Sequence, residues 1–335
     1  MLLFYFGRNM LKRLHSTLLI ATMILPLPMI TFQQMATAGE SELKAASRTS
    51  DFIRMTESED GQPQSLDTAV VSYVSEDKSL TVDLIGAVHL GDGSYYQELN
   101  QLFDSYEVLL YELVAPEGTV ISPEMGRQSN NPISMLQNAT KNFLGMESQL
   151  EKVDYTKNHF VRADMTPEQM TEKMQERGEN MLTLAMSALT EAMRAQNQAA
   201  KKSDRVPGAT REMNLMEMMQ NPQQAKVMMA KQFAGTDSID MALGGSLNQL
   251  LVVDRNAEAL RVLQQQIDLG KKKIGIFYGA AHLPDFDDKL VADFGMKKDS
   301  TRWVKAWDLT SNPESAAATP ADPFSFMLNL LKEIK

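Results

Sequence analysis

The chain has no cysteine among its 335 residues. Disulfides, thiolate nucleophiles, cysteine-ligated metals and a lipid anchored on cysteine are therefore excluded. An oxidising compartment is permitted but not indicated. Basic charge is also short: 33 Lys and Arg stand against 43 Asp and Glu, for a net charge of −10. That balance gives neither nucleic acid nor anionic lipid a basic footprint to bind. There are only four histidines, so imidazole chemistry must draw on His15, His89, His159 and His282. Long apolar runs are missing too. The longest, Thr17 to Phe32, is short for a membrane span and is broken by Pro26 and Pro28. What is abundant is methionine, 24 residues mostly at helical spacings, which reads as flexible core filling. A 43% hydrophobic fraction is enough for one large domain or two smaller ones.

The N-terminus reads as a secretory signal over residues 1–38. Lys12 and Arg13 precede the apolar run, and Ala36-Thr37-Ala38 forms a small-x-small cleavage site before Gly39. An uncleaved anchor is the alternative, and it would be one of two routes to membrane contact. Export to the periplasm or beyond is expected, and His15 leaves with the signal. Residues 39–66 read as a polar, flexible lead-in, with order beginning near Ala69.

The main domain is placed at 67–309. Ala69–Val74 and Leu80–Ile85 predict an antiparallel hairpin across the turn at Glu76-Asp77-Lys78. Ser94–Tyr106 predicts an amphipathic helix, and Val108–Leu113 a buried strand; that order predicts a crossover with parallel pairing. Residues 166–230 read as a helical insertion rich in Met, Gln, Glu and Ala, entered at Thr166-Pro167-Glu168-Gln169. Its apolar face would cover the sheet domain, a second subunit in a homodimer, or an apolar ligand. Alternation then returns: helix 256–267, strand 273–278, helix 286–294, strand 302–307. Residues 310–335 are a linker and a tail helix, which docks on its own domain or, less simply, on a membrane. The expected class is α+β (mixed α/β): a central mixed sheet with flanking helices and a large Met-rich helical insertion.

One local pattern occurs twice. Gly86-Ala87-Val88-His89 and Gly279-Ala280-Ala281-His282 each end a predicted strand and precede a helix. Ligands of open α/β sheets bind beyond the carboxyl ends of strands, so the two imidazoles can meet there. Glu112 ends the strand between them, and a carboxylate in so apolar a run needs a partner or a metal. Two imidazoles and a carboxylate suit a divalent cation, Mn, Co or Zn. Water activation and carbonyl polarisation would follow.

Other residues have two readings each. Arg255 either neutralises an oxyanion or substrate carboxylate, or is solvated beside a capping Asp254. His159 is a third imidazole, a general acid or a surface residue. Asp92 and Asp285 follow the two histidines at the same offset and either orient the imidazoles or cap helices. Tyr95 and Tyr96 line a pocket or fill the core.

Gly86-x-x-His89, the strand ending in Glu112, Arg255-Asn256 and Gly279-x-x-His282, in this order, resemble the TraB/PrgY/GumN/Tiki family over residues 69 to 308. Asp254 stands where relatives often carry Glu. The resemblance implies a shared site of His89, Glu112 and His282, with Arg255 and Asn256 in support. The segment from His159 through Arg162 and Asp164 also looks family-like, with Arg162 where relatives carry His. The family is related to erythromycin esterase and to haem-associated ChaN-like proteins. It implies metal-dependent hydrolysis of a peptide, ester or amide in a bacterial cell envelope. The other readings are a metal-independent esterase, or a non-catalytic protein that binds peptide or haem or regulates the envelope.

Overall fold

A computed structural model describes residues 51–119, 143–180, 221–235 and 245–310, with isolated positions between 121 and 190. The expected signal, the start of the lead-in, the middle of the helical insertion and the tail from 311 onward lie outside the described residues.

Order begins earlier than the sequence indicates. β1 (Ile53–Glu57) pairs antiparallel with the first half of β2 (Pro63–Val74), so residues 53–66, read above as lead-in, belong to the sheet. The polarity that hid them has a local cause: Arg54 pairs with Asp67 at 3.3 Å, and Thr56 with Ser65 at 2.7 Å. These cross-strand pairs satisfy polar groups that look like loop chemistry in one dimension. The second half of β2 forms the expected hairpin with β3 (Thr81–Ala87). The far edge of β2 pairs along almost its whole length with β9 (Lys297–Asp308).

Next to β3 the sheet becomes parallel. β8 (Lys273–Gly279) pairs with β3, β5 (Val108–Tyr111) with β8, and β7 (Phe160–Arg162) with β5. The expected crossover from β3 to β5 therefore exists, but the two strands are parallel without being neighbours. β8, from much later in the chain, lies between them. Its glycine at 275 makes room: a Cβ there would come 2.6 Å from Leu109 Cδ1. A two-residue ladder of β4 (Leu90–Gly91) and β6 (Glu147–Ser148) stands apart.

Strand alternation divides the core into two layers. Ile85, Leu109, Tyr111 and Phe277 face α1 (Gly93–Phe103), which buries Tyr95, Tyr96, Leu99 and Phe103. Val82, Leu84, Leu110, Ile274 and Ile276 face the other way. There they meet α6 (Asp254–Asp268) and α7 (Leu283–Ala292), through Leu260, Leu263, Phe286 and Leu290. The architecture is thus mixed α/β, a central sheet with helices on both faces. Between these elements run α2 (Gln149–Lys152), α3 (Pro167–Glu176), α4 (Pro222–Gly235) and α5 (Gly245–Asn248). α3 starts at the expected place, with a complete Thr166/Gln169 capping box and Pro167 in its first turn. Part of the insertion packs on the sheet domain: Lys226 of α4 donates to Asp92 at 2.8 Å, and Phe233 lies edge-on to Trp307. Among the described residues, no helix is long and apolar enough to cross a membrane.

Candidate functional site

Four parallel strands lie side by side in the order β3, β8, β5, β7, and each carries a polar side chain just beyond its carboxyl end. In strand order these are His89, His282, Glu112 and Asp164. Gly86, next to last in β3, has tight surroundings, since a Cβ there would come 3.3 Å from both the Ala69 carbonyl and Leu283. The two Gly-x-x-His segments differ in form. His282 closes a 3₁₀ turn, Ala280–His282, that runs straight into α7, whereas His89 lies in a non-helical link before β4.

Glu112 is bonded at both oxygens. Oε1 accepts from Arg255 Nη2 at 2.6 Å, and Oε2 accepts from the Gly279 N–H at 2.8 Å. Burial alone would push its carboxyl up. The Arg255 guanidinium, helped by His282, His89 and the Gly279 N–H, overcomes that and holds it well below the usual carboxylate range. Glu112 is therefore an anion.

Arg255 is only 2% exposed, contrary to the solvated reading and to a role in contacting an oxyanion or substrate. It forms a two-pronged pair with Asp164, Nε to Oδ1 at 2.9 Å and Nη2 to Oδ2 at 2.6 Å, and its Nη1 donates to the Leu251 carbonyl at 3.3 Å. With Nη2 also on Glu112, every nitrogen of the guanidinium is engaged. Arg255 is an internal strut between the ends of β5 and β7. Asp164 is fully enclosed; burial raises its pKa, and Arg255 only partly offsets this. The strut is aimed by a π turn, Gln249–Val253, that joins α5 to α6 without a break. Asp254 consequently lies inside a continuous helical stretch, pairing with Arg177 rather than capping a helix start.

Asn256, one residue on, fixes His282. Its Nδ2 donates to the His282 carbonyl at 2.9 Å and to Asp285 Oδ2 at 2.8 Å. Its Oδ1 must then face His282 Nδ1, 2.7 Å away, and Nδ1 carries the proton. Asp285 orients the imidazole through Asn256, and Lys289 steadies Asp285 at 3.0 Å. The His282 Nε2 that remains has no proton, and it faces Glu112 Oε1 at 3.6 Å. An unprotonated ring nitrogen faces a carboxylate oxygen with no proton between them, an arrangement that a cation would relieve. Burial, only partly countered by Glu112, lowers the His282 pKa to about 4.

That value predicts a pH dependence for the metal-free chain. Unfolded, His282 takes its proton near the ordinary value of 6.5; folded, near 4. Between the two, the unfolded state binds more protons, so its contribution is whole above pH 6.5 and declines as pH falls to 4. The decline amounts to about 3 kcal/mol. Urea midpoints at pH 7.5, 5.5 and 4.5 should show it, and a His282→Gln variant should lose that part of the slope. An unchanged slope in the variant would contradict a buried neutral imidazole.

His89 is half-buried, with Nδ1 3.2 Å from Gln149 Oε1, and it lies close enough to Glu112 and His282 to interact electrostatically with both. His89, Glu112 and His282 thus share one neighbourhood. Among the described residues, no three His, Asp or Glu side chains close into a metal-holding group.

Several other expected participants are elsewhere. His159 precedes β7, at the opposite end of the strand from Asp164. Its Nε2 caps α1 by bonding the Phe103 carbonyl at 3.0 Å, so a general-acid role at this site is corrected. Asp92 touches neither imidazole; it accepts from Lys226 at 2.8 Å and from the Asp308 N–H at 2.6 Å. Tyr95 and Tyr96 are core residues, not pocket lining. Their hydroxyls donate to the Gly86 and Val88 carbonyls at 3.0 Å each and so brace the backbone leading to His89. Arg162 lies at the end of β7, donating to the Asp164 carbonyl at 2.7 Å. Gln149 and Tyr155 reach the site unannounced, since neither belongs to a motif or a periodic run. No family model, no curated protein and no solved structure matches the chain.

Proposed function

We propose that this chain is an exported, metal-dependent hydrolase of peptide, ester or amide bonds, in keeping with its resemblance to the TraB/PrgY/GumN/Tiki family. His89, Glu112 and His282 would hold a divalent cation, Mn, Co or Zn. One observation carries the reading. Each imidazole has its Nδ1 within hydrogen-bond distance of a side-chain amide oxygen, and the bare Nε2 of His282 lies 3.6 Å from the ionised Glu112. Ligating histidines need that outer hydrogen bond to fix tautomer and ring orientation.

A cation there supplies Lewis acidity toward water and a substrate carbonyl. The chain's own groups do the rest of the positioning. Asn256, held by Asp285, keeps the His282 Nδ1 protonated. Arg255 keeps Glu112 ionised and in place, and Asp164 balances Arg255 so that its charge is not left unpaired. The Gly279 N–H fixes the second carboxylate oxygen.

A metal-independent hydrolase is the second reading, favoured by the His282 imidazole being held neutral with its Nε2 unprotonated. The neutral His282 Nε2 would then accept a proton from water directly, and activity would survive a chelator. Elemental analysis of the purified protein, beside a His89→Ala/His282→Ala double variant, separates the two. About one equivalent of Mn, Co or Zn is expected in the parent and none in the folded variant. A parent that is metal-free and takes up none of these ions on titration would reject the metal reading.

A further inference from the structure

His89 has no helix of its own to hold it. Instead, residues 147–152, which lie in the chain between β5 and β7, clamp its loop. Leu90 and Gly91 pair with Ser148 and Glu147, and the Gln149 N–H donates to the His89 carbonyl at 2.9 Å. The Gln149 side chain continues the grip. It is 4% exposed, so its amide has little water to turn to. Nε2 donates to Tyr155 Oη at 2.9 Å, and Oε1 lies 3.2 Å from His89 Nδ1. Tyr155 is itself fixed, its ring packed on Tyr111 at 5.1 Å between centroids, one residue before Glu112. With the amide in this orientation Oε1 faces His89 Nδ1, so Nδ1 donates to it and Nε2 is left bare. The arrangement reproduces, on different elements, what Asn256 does for His282.

We propose that Gln149, anchored by Tyr155, is a positioning residue that holds His89 as its Nδ1–H tautomer. A neutral imidazole without such an acceptor favours the other tautomer, whose proton would block Nε2. The consequence for cation binding rests on the hydrolase reading above, but the tautomer itself does not. The segment after β5 thus sets the histidine after β3, so a single piece of chain aligns the two.

The test is long-range ¹H–¹⁵N NMR of the full chain, metal-free and labelled at histidine, at pH 7.5. His89 in the parent should show a protonated Nδ1 and a bare Nε2. Gln149→Leu should move it toward the Nε2–H form, and Gln149→Glu, which keeps an acceptor, should restore the parent pattern. Unchanged His159 and His282 signals control for folding. If Gln149→Leu does not fold, Tyr155→Phe releases the amide and should give a mixture of tautomers. A parent spectrum with the proton on Nε2 of His89, or a Leu variant indistinguishable from the parent, overturns the proposal. Zn²⁺ titration adds the consequence: binding roughly 10–100-fold weaker in Gln149→Leu and largely recovered in Gln149→Glu. A parent that binds no Zn²⁺ would count against the hydrolase reading and leave the tautomer result standing.

Discussion

Arg255→Ala should lower the unfolding free energy by about 3–5 kcal/mol in urea titrations followed by circular dichroism. The guanidinium bonds both Glu112 and Asp164 at 2.6 Å in a setting where all three groups are nearly closed to water. Removing it leaves two buried carboxylates facing one another with no counter-charge, which is far costlier than losing a surface pair. Arg255→Lys should recover little, because one ammonium cannot serve Asp164 in two-pronged fashion while reaching Glu112 and the Leu251 carbonyl. Asp164→Asn in the Arg255→Ala background should restore part of the loss by removing one uncompensated charge. Against a typical total of about 5–15 kcal/mol, the alanine variant can fall near the folding limit; the lysine and asparagine variants then carry the comparison. A loss under about 1 kcal/mol for Arg255→Ala would mean that the strut is not the support described here.

Glu112→Gln should separate function from stability. Cation affinity, read by titration with Mn²⁺, Co²⁺ and Zn²⁺, is expected to fall roughly 100-fold or more, since the variant loses the sole anionic ligand of the proposed set. Stability should fall by only about 1–2 kcal/mol. The amide oxygen can accept from Arg255 or from the Gly279 N–H but not from both, so one donor is left unsatisfied. Asp164 still balances Arg255, however, and the excess negative charge of the cluster disappears. Unchanged affinity would remove Glu112 from the ligand set. A stability loss as large as that of Arg255→Ala would make its charge a structural necessity.

The two variants differ because of a distinction the sequence does not draw. An Asp-Arg-Asn at a helix start reads as a cap beside a solvated or substrate-facing arginine. In the fold a π turn carries the helix past that point, and Arg255 is turned inward onto carboxylates 91 and 143 residues away. Burial changes what an arginine can do: each guanidinium nitrogen is already engaged inside the protein, so it holds carboxylates in place instead of lying open to solvent. His159 went astray for a related reason. It sits in a polar stretch with other candidate residues, and only the parallel pairing of β7 with β5 places it at the wrong end of the strand.

By itself, the amino-acid sequence determined those local elements whose apolar pattern is strong, though not β1, the start of β2, or β7. The hairpin, the first amphipathic helix, the capping box at Thr166 and the two Gly-x-x-His strand ends are written in windows of a few residues. There, apolar period, glycine and capping chemistry act directly on the backbone. It also determined that His89, Glu112 and His282 end strands, because an ionisable residue closing an apolar run is a local signal. The tertiary structure alone decided that β8 lies between β3 and β5, that Asn256 and Gln149 hold the two imidazoles, and that Asp164 completes the charge cluster. These are pairings between side chains tens to hundreds of residues apart. Their partners are selected by strand register and by the path of the crossovers, and no local pattern records either one.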